Sequence, residues 1–139
     1  RKSEAMARVV ECRTRIRYAD TDQMGVVHHA KYLEYFEIGR TEYMRRRGLS
    51  YAEVERRGIF LALVEGHIRW RRAGRYDGEI SIRTWMEELS GARVKFRYEV
   101  LDERGDTLAD GWTVLGSVNG DGRAVRIPAW LRESLEEDA

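Results

Sequence analysis

Hydrophobic and polar residues alternate along five stretches of the chain, at about 9–18, 59–72, 78–88, 91–101 and 107–118. A period of two is typical of β-strands that bury one face of a sheet. Trp70 falls among the alternating apolar residues of the second stretch, and Leu108, Trp112 and Val114 are predicted to share the apolar face of the last one. Short turn-rich segments separate the last three strands, which predicts antiparallel neighbours.

The segment from 30 to 47 changes to a spacing of three to four, which predicts a long α-helix. Tyr32, Tyr35 and Ile38 widen its apolar surface well beyond one stripe, and such a helix is expected to be buried. Gly48 occupies the usual position of a C-terminal cap. Shorter helices are predicted after Ser50, which opens a capping box with Glu53, and from 128 to 137.

One strand, a long helix and four more strands predict an α+β domain in which a five-stranded antiparallel sheet wraps around the buried helix. We expect residues 1–139 to form this single domain, with 1–7 as a flexible leader. The two edges of such a sheet expose unpaired backbone groups. The fold therefore predicts a homodimer that continues the sheet, and further assembly to a homotetramer.

Composition narrows the functional classes. The net charge is only +1, with 22 Arg and 3 Lys, which argues against a general nucleic-acid coat. Cys12 is the only cysteine, so an internal disulfide, a CxxC pair and a thiolate zinc cluster are excluded. A single thiol suits a reducing, cytoplasmic compartment. No apolar run reaches the ~18–20 residues of a membrane span, and the N-terminal segment, which has no long apolar stretch after its charges, is not expected to be a secretory signal.

The stretch YADTDQMGVVHHAKY, residues 18–32, connects the first predicted strand to the long helix. It concentrates two aspartates and two adjacent histidines in one loop. The most specific pattern within it is Asp20-x-Asp22-x-x-Gly25-Val26-Val27-x-His29-x-x-Tyr32. Residue types, spacing and the strand–loop–helix setting together make this pattern informative, whereas a lone D-x-D would not be.

On these residues the chain resembles hotdog-fold acyl-CoA thioesterases, especially the group that contains 4-hydroxybenzoyl-CoA thioesterase and the YbgC-type enzymes. The resemblance covers roughly residues 8–135 and is dense at 15–49. It implies hydrolysis of an acyl-CoA thioester to a free acid and CoA, without a cofactor or metal. It also implies that Asp22 is the catalytic carboxylate, acting on water as a general base or attacking the carbonyl to form a mixed anhydride.

The predicted helix supplies the second half of this chemistry. Its first N–H groups have no partner within the helix and lie at the positive end of its dipole. The amides around Val27, His28 and His29 are therefore candidates for an oxyanion hole. Gly25 lets the chain turn tightly and the acyl group approach, and Tyr32 is expected to line the acyl pocket.

The phosphates of CoA call for cations. Arg93 and Lys95, with Arg97, lie on one face of the fourth strand and are predicted to meet them. The run RWRRAGR, residues 69–75, is a second candidate. Two positions depart from the family pattern: His28 stands where relatives usually have an aromatic residue, and Arg93 where they often have a small hydroxyl residue.

Each site residue also has a structural interpretation. Asp20 is interpreted mainly as a turn former that accepts nearby N–H groups, and Asp22 can play the same part. His29 is as readily a packed histidine as a substrate contact. A metal site is disfavoured, since adjacent histidines are expected to point apart and no third ligand has a suitable spacing. Glu37 is a reserve carboxylate, because a sister thioesterase group uses a helix glutamate.

Two alternative functions remain open. A hotdog-fold enoyl-CoA hydratase or dehydratase would use an aspartate and a histidine together on a C–H bond and a hydroxyl. A non-catalytic acyl-CoA-binding or nucleic-acid-binding module would depend on the arginines and not on Asp22. The sequence does not indicate which acyl group is bound.

Overall fold

The regular elements follow one another in nearly the predicted order in a computed structural model that describes residues 8–137. The predicted leader at 1–7 lies outside these residues. The elements are β1 (Val10–Arg15), a 3-10 turn (Tyr18–Asp20), α1 (Lys31–Arg46), α2 (Tyr51–Arg56), β2 (Phe60–Trp70), β3 (Glu79–Leu89), β4 (Arg93–Leu101), β5 (Thr107–Val118) and α3 (Ala129–Glu136). Within the described range, no helix has the length and apolar character needed to cross a bilayer.

All five strands form one antiparallel sheet in the order β1-β3-β4-β5-β2. Helix α1 packs against β3, β1 and β4 on one face of this sheet. The predicted fold, a five-stranded antiparallel sheet with a long helix packed against it, is confirmed. Strands β1 and β2 form the two edges.

Aromatic side chains fix α1 on the sheet. The ring of Phe36 stacks on Tyr98 with centroids 4.2 Å apart, and Tyr43 meets Phe96 edge-on at 5.2 Å. Both pairs lie in the fully buried core, where aromatic contacts add to the free energy of apolar burial. Phe96 and Tyr98 alternate along β4 with Lys95 and Arg97, which lie on the opposite face of the strand. The helix therefore sits at a defined height along the sheet.

The ends of the helices follow the predicted signals. Gly48 has a φ of +87°, as the residue after a helix often does, and its position just beyond α1 confirms the predicted cap. The Ser50 hydroxyl accepts a hydrogen bond from the Glu53 amide at 3.2 Å and so caps α2. The residues at these two positions are therefore sufficient to predict where α1 ends and where α2 begins.

Helix α1 is less enclosed than its sequence predicts. Leu33 and Ile38 are 38% and 42% exposed, so the expected burial around most of the helix is wrong for the single chain. The sheet covers only one side of α1. On the opposite side, Leu33 and Ile38 face solvent next to the exposed residues Glu34 and Glu37. Strand β1 is also shorter than predicted, because the chain leaves the sheet at Arg15 and Tyr18 lies exposed in the 3-10 turn.

The prediction of the apolar face of β5 is correct at Leu108 and wrong for the residues that follow it. Val100 pairs with Ala109 and Leu101 with Thr107, which leaves Leu108 as a bulge residue. Leu108 and Ala109 are both buried, and the alternation changes phase between them. The following inward residues are Gly111, Thr113, Leu115 and Ser117, whereas Trp112 and Val114 lie on the outer face.

Gly39 allows the helix backbone to come close to β3. A Cβ atom built on Gly39 would overlap the Thr84 hydroxyl and would lie 2.8 Å from Cγ2 of Ile82. Thr84 and Ile82 are fully buried, so neither side chain has room to move. The close packing of α1 on the sheet therefore requires glycine at this position.

We expect Gly39→Ala to lower the free energy of unfolding by about 1–3 kcal/mol, because the added methyl group overpacks a closed core. Helix propensity alone predicts the opposite sign, a gain of about 1 kcal/mol. Urea unfolding measures the difference. Gly120→Ala is the control, since a Cβ there meets nothing within 4 Å. A stabilised Gly39→Ala protein would contradict the close-approach interpretation.

Candidate active site

An open cleft of about 370 Å³ lies between the loop that precedes α1 and the end of β2. Its walls are Asp22, Val26, Val27, His29, Tyr32, Trp70, Arg71, Arg72 and Ala73. A second cleft of about 430 Å³ is lined by Gly74 and Arg75, from the end of the basic run 69–75, and by none of the predicted site residues of the loop. The structure thus brings Asp22, Val27, His29 and Tyr32 together. It leaves Gly25, His28, Arg93 and Lys95 outside this wall.

A closed turn holds Asp22 at the cleft. The Asp22 amide donates to the Val26 carbonyl at 2.9 Å, and the Gly25 amide donates back to the Asp22 carbonyl at 2.9 Å. Gly25 has a φ of +78°, which favours glycine, and its predicted turn role is confirmed. The turn is a property of the backbone and therefore positions residue 22 independently of its side chain.

The carboxylate of Asp22 is exposed and only partly engaged. Its Oδ1 accepts the Met24 amide at 2.9 Å, which is an Asx turn. Within residues 8–137, Asp22 forms no ion pair and accepts no hydrogen bond from a side chain. Asp22 is thus both a turn residue and a wall of the cleft, and one carboxylate oxygen remains available to a ligand.

The loop is fastened to the chain that follows β2. The Val27 amide donates to the Gly74 carbonyl at 2.8 Å, and Val26 forms an isolated bridge with Arg75. Gly74 is buried beneath Tyr32, whose hydroxyl would be 3.2 Å from a Cβ at that position. Burial raises the pKa of Tyr32, and a hydrogen bond from the Gly74 backbone offsets only part of this shift. The hydroxyl therefore stays neutral.

Two of the three predicted oxyanion donors are already occupied, which corrects the expectation for Val27 and His28. The Val27 amide is bound by Gly74, and the His28 amide donates to the Asp20 carbonyl at 2.9 Å. Within the described part of the chain, the amides of His29 and Ala30 donate to no protein acceptor, and no side chain caps α1. These two N–H groups lie at the positive end of the helix dipole.

Asp20 is a structural carboxylate, as its interpretation as a turn former predicts. It is buried and accepts the Arg17 amide, the Arg17 guanidinium and the Tyr35 hydroxyl, each at 3.0 Å. Burial alone would raise the pKa of Asp20, but these hydrogen bonds and the Arg17 charge lower it overall. Burial and the neighbouring carboxylate raise the pKa of Tyr35, whose hydroxyl therefore remains a donor.

The two histidines lie side by side. Their ring centroids are 4.2 Å apart, so the expectation that the side chains of His28 and His29 point apart is wrong. His29 also meets the indole of Trp70 edge-on at 6.1 Å. Among residues 8–137, no group of three or more His, Cys, Asp or Glu side chains is arranged to hold a metal ion.

The cations of β4 lie on the face of the sheet turned away from α1. Lys95 pairs with Glu87 at 3.0 Å and lies 4.5 Å above the Trp112 ring, and Arg97 also pairs with Glu87. Arg93 is exposed at the start of the strand. Neither Arg93 nor Lys95 therefore reaches the Asp22 cleft of its own chain.

The other basic run does reach the cleft. Arg71 and Arg72 stand in its wall and face Asp110 and Asp106, at 2.5 and 4.0 Å respectively. Trp70 is a site residue that the sequence analysis missed, since alternation placed it simply among the apolar positions of a strand. A tryptophan beside three arginines was the available signal, because a buried strand position rarely has such neighbours.

Comparisons with known proteins identify the family of the chain. Residues 16–135 match the model of the thioesterase-like superfamily. YneP of Bacillus subtilis is 33% identical over 91 residues, which are 66% of each chain. The acyl-CoA thioesterase YbgC of Haemophilus influenzae is 32% identical over 88 residues, 63% of this chain and 65% of that relative. The chain thus spans just under two thirds of the length of these two relatives.

Solved structures share the whole fold. A hypothetical protein from Thermus thermophilus is 40% identical with a TM-score of 0.88, covering 93% of this chain and 98% of that chain. The DHNA-CoA thioesterase from Staphylococcus aureus is 30% identical with a TM-score of 0.86, covering 91% and 87% respectively. The structural similarity therefore extends over more than nine tenths of the chain.

We expect Asp20→Asn to lower the free energy of unfolding by about 1–3 kcal/mol at pH 7, because Arg17 and Tyr35 lose a charged acceptor. The pKa of Asp20 is lower in the folded than in the unfolded state. Its contribution is therefore complete above about pH 4 and is lost as the pH falls through the folded-state pKa. The difference between wild type and variant, measured by urea unfolding, should therefore shrink as the pH is lowered below about 4.

Asp121→Asn is the matched control, since Asp121 is exposed in a turn. Its unfolding free energy should stay within about 0.5 kcal/mol of wild type at each pH. A deficit in Asp20→Asn that does not change with pH would refute the charged role of Asp20.

Proposed function

The chain belongs to the thioesterase-like superfamily, and we propose that it hydrolyses acyl-CoA thioesters to a free acid and CoA with Asp22 as the reacting carboxylate. The observation that carries this proposal is one cleft whose wall contains both Asp22 and His29, a residue with an unoccupied amide at the tip of α1. The names of YbgC and of the structurally similar DHNA-CoA thioesterase support the reaction class.

Asp22 can act by either of two routes. As a general base it takes a proton from water while the water oxygen attacks the thioester carbon; the C–S bond then breaks and the proton passes to the CoA thiolate. As a nucleophile it attacks the same carbon, expels the thiolate, and leaves a mixed anhydride that water hydrolyses. Both routes need a carboxylate oxygen within about 3 Å of its target, and the free oxygen of Asp22 meets the chemical requirement.

The amides of His29 and Ala30 complete the proposed chemistry. In both routes the carbonyl oxygen gains negative charge, which the dipole of α1 and these two donors stabilise. One preorganised donor of this kind contributes roughly 3 kcal/mol to the transition state. Thioesters are reactive acyl donors, so a carboxylate and an oxyanion hole are a sufficient set of groups.

The remaining walls indicate how the substrate lies. We assign Val27, Tyr32 and Trp70 to the acyl group and its pantetheine arm, because they form the apolar part of the cleft. Arg71 and Arg72 are the cations of the same wall and suit the CoA phosphates. Arg93 and Lys95, on the opposite face of the sheet, can serve the phosphates only from a neighbouring subunit.

A second copy of the chain is the proposed partner. Strand β2 is an 11-residue edge, with Leu63 and Val64 50% and 49% exposed. An edge that is long and apolar favours pairing with another strand. We propose a homodimer in which β2 strands continue the sheet, with further assembly to a homotetramer. A reducing, cytoplasmic site of action stays a prediction based on the single thiol of Cys12.

A thiol-release assay over short-chain, long-chain and aromatic acyl-CoAs tests the reaction. Wild type should release CoA from at least one class, and Asp22→Asn should lower kcat/KM by about 10²–10⁴-fold, the usual contribution of a positioned base. Asparagine keeps the Asx turn with Met24 and so separates chemistry from folding.

Asp102→Asn is the matched control, because Asp102 also closes an Asx turn, with the amides of Arg104 and Asp106 at 2.9 and 3.0 Å. It should retain wild-type kcat/KM. Thiol release that is equal in wild type and Asp22→Asn would exclude Asp22 as the reacting group. Loss of enoyl absorbance from crotonyl-CoA without free thiol would instead identify a hydratase, and binding without turnover a non-catalytic module.

We expect Val64→Arg to weaken self-association at least tenfold, because a symmetric contact brings each introduced charge close to its own copy. Light scattering coupled to size-exclusion chromatography, over a range of protein concentrations, measures the change. Tyr76→Arg is the control at an exposed apolar position away from β2 and should leave the mass unchanged. A monomeric wild type would overturn the proposed dimer.

A further inference from the structure

We infer that Trp70 is a positioning residue: its indole fixes the peptide unit that carries one of the two free amides at the tip of α1. This inference rests on the proposed hydrolysis for its effect on rate. Trp70 is assigned this function in addition to its place in the apolar wall, and the two roles make different predictions.

The contact itself is specific. Nε1 of Trp70 donates to the His29 carbonyl at 3.2 Å, and the indole meets the His29 ring edge-on. Trp70 is 52% exposed, so water is available to its N–H group as an alternative acceptor. The indole nevertheless binds a backbone carbonyl 41 residues away in the chain. It thereby links the end of β2 to the loop in front of the helix.

Because the peptide bond is planar, the hydrogen bond to the His29 carbonyl also affects the Ala30 amide. The His29 carbonyl and the Ala30 N–H belong to one rigid trans unit and point in opposite directions. A hydrogen bond to the carbonyl oxygen therefore fixes the direction of the Ala30 N–H. The preceding unit is held in the same way, because the His28 carbonyl accepts the Lys31 amide at 2.9 Å and so directs the His29 N–H.

The two amides thus depend on different supports. The His29 N–H is directed by the first turn of α1 itself, whereas the Ala30 N–H is directed from β2. Ala30 has no side-chain oxygen with which to cap the helix. Among the hydrogen bonds of the described residues, that of Trp70 is the one from a side chain outside the loop to residues 27–30.

A fixed donor is worth more than a free one. An oxyanion hole lowers the barrier because its dipoles are already aligned before charge develops, so a peptide unit that must rotate loses part of the benefit. Loss of the indole N–H should therefore reduce kcat. It should leave KM largely unchanged, since the ground-state carbonyl carries little of the charge.

Trp70→Phe tests this directly, because the phenyl ring keeps most of the apolar wall and removes the donor. We expect kcat to fall about 3- to 10-fold, the effect of one neutral hydrogen bond, with KM within about twofold of wild type. Trp130→Phe is the control. Trp130 lies on α3, its ring centroid is 4.7 Å from the guanidinium carbon of Arg57, and its replacement should leave kcat unchanged. A rise in KM with unchanged kcat, or no change in either, would refute the positioning role.

A second measurement does not depend on activity. The carbonyl ¹³C resonance of His29 should move upfield in Trp70→Phe and stay in place in Trp130→Phe, because a carbonyl that loses its donor is less polarised. A resonance that does not move overturns the inference, whatever the kinetics show. If wild type releases no thiol from any acyl-CoA, the proposed function fails, and the resonance still decides whether Trp70 holds the loop.

Discussion

The close contact between α1 and the sheet is the constraint on which the site depends. Gly39 lets the helix backbone approach β3, and the stacked rings of Phe36 and Tyr98 fix its height along the sheet. These contacts lie about one and a half and two turns from the start of the helix, yet they determine where that start lies. Because an α-helix is rigid along its axis, its unpaired amides are delivered to one place beside the loop. A looser contact would leave the donors without a defined target.

The loop contains two aspartates in different environments, one buried and one exposed. Asp20 is buried, holds Arg17 and Tyr35 through its carboxylate, and accepts the His28 amide through its carbonyl. Asp22, two residues later, is exposed and keeps one oxygen free. Asp20 is the last residue of the 3-10 turn, whereas Asp22 begins the next turn, so the two side chains have different surroundings. The first aspartate supplies the rigidity that the proposed role of the second requires, because a reacting carboxylate is effective only when its position is fixed before the substrate arrives.

Local sequence patterns predicted the parts of the fold that depend on neighbours along the chain. The inward faces of β3 and β4, the cap at Gly48 and the turn at Gly25 all follow from spacing or backbone preference. The face of β5 did not, because the bulge at Leu108 arises from pairing with β4 and leaves no signature in a period of two. The engagement of the Val27 and His28 amides was equally hidden, since their acceptors come from distant or irregular backbone. Trp70 was missed for the same reason: its partner is a carbonyl 41 residues away.

Strand β2 connects assembly with chemistry. Its first half is the exposed apolar edge that the proposed dimer would pair, and its last residue is Trp70, at the wall of the cleft. In the single chain this strand is paired on one side only, with β5, and Trp70 at its end pairs with Ala109. An edge strand therefore has fewer backbone constraints than a central strand of the same sheet. Pairing of its first half on the second side would add backbone constraints to the strand whose last residue carries the indole. In the proposed dimer, the backbone hydrogen bonds that hold two subunits together would therefore also help to fix one donor of the proposed oxyanion hole. An isolated subunit would contain all of the proposed catalytic groups in a less constrained arrangement.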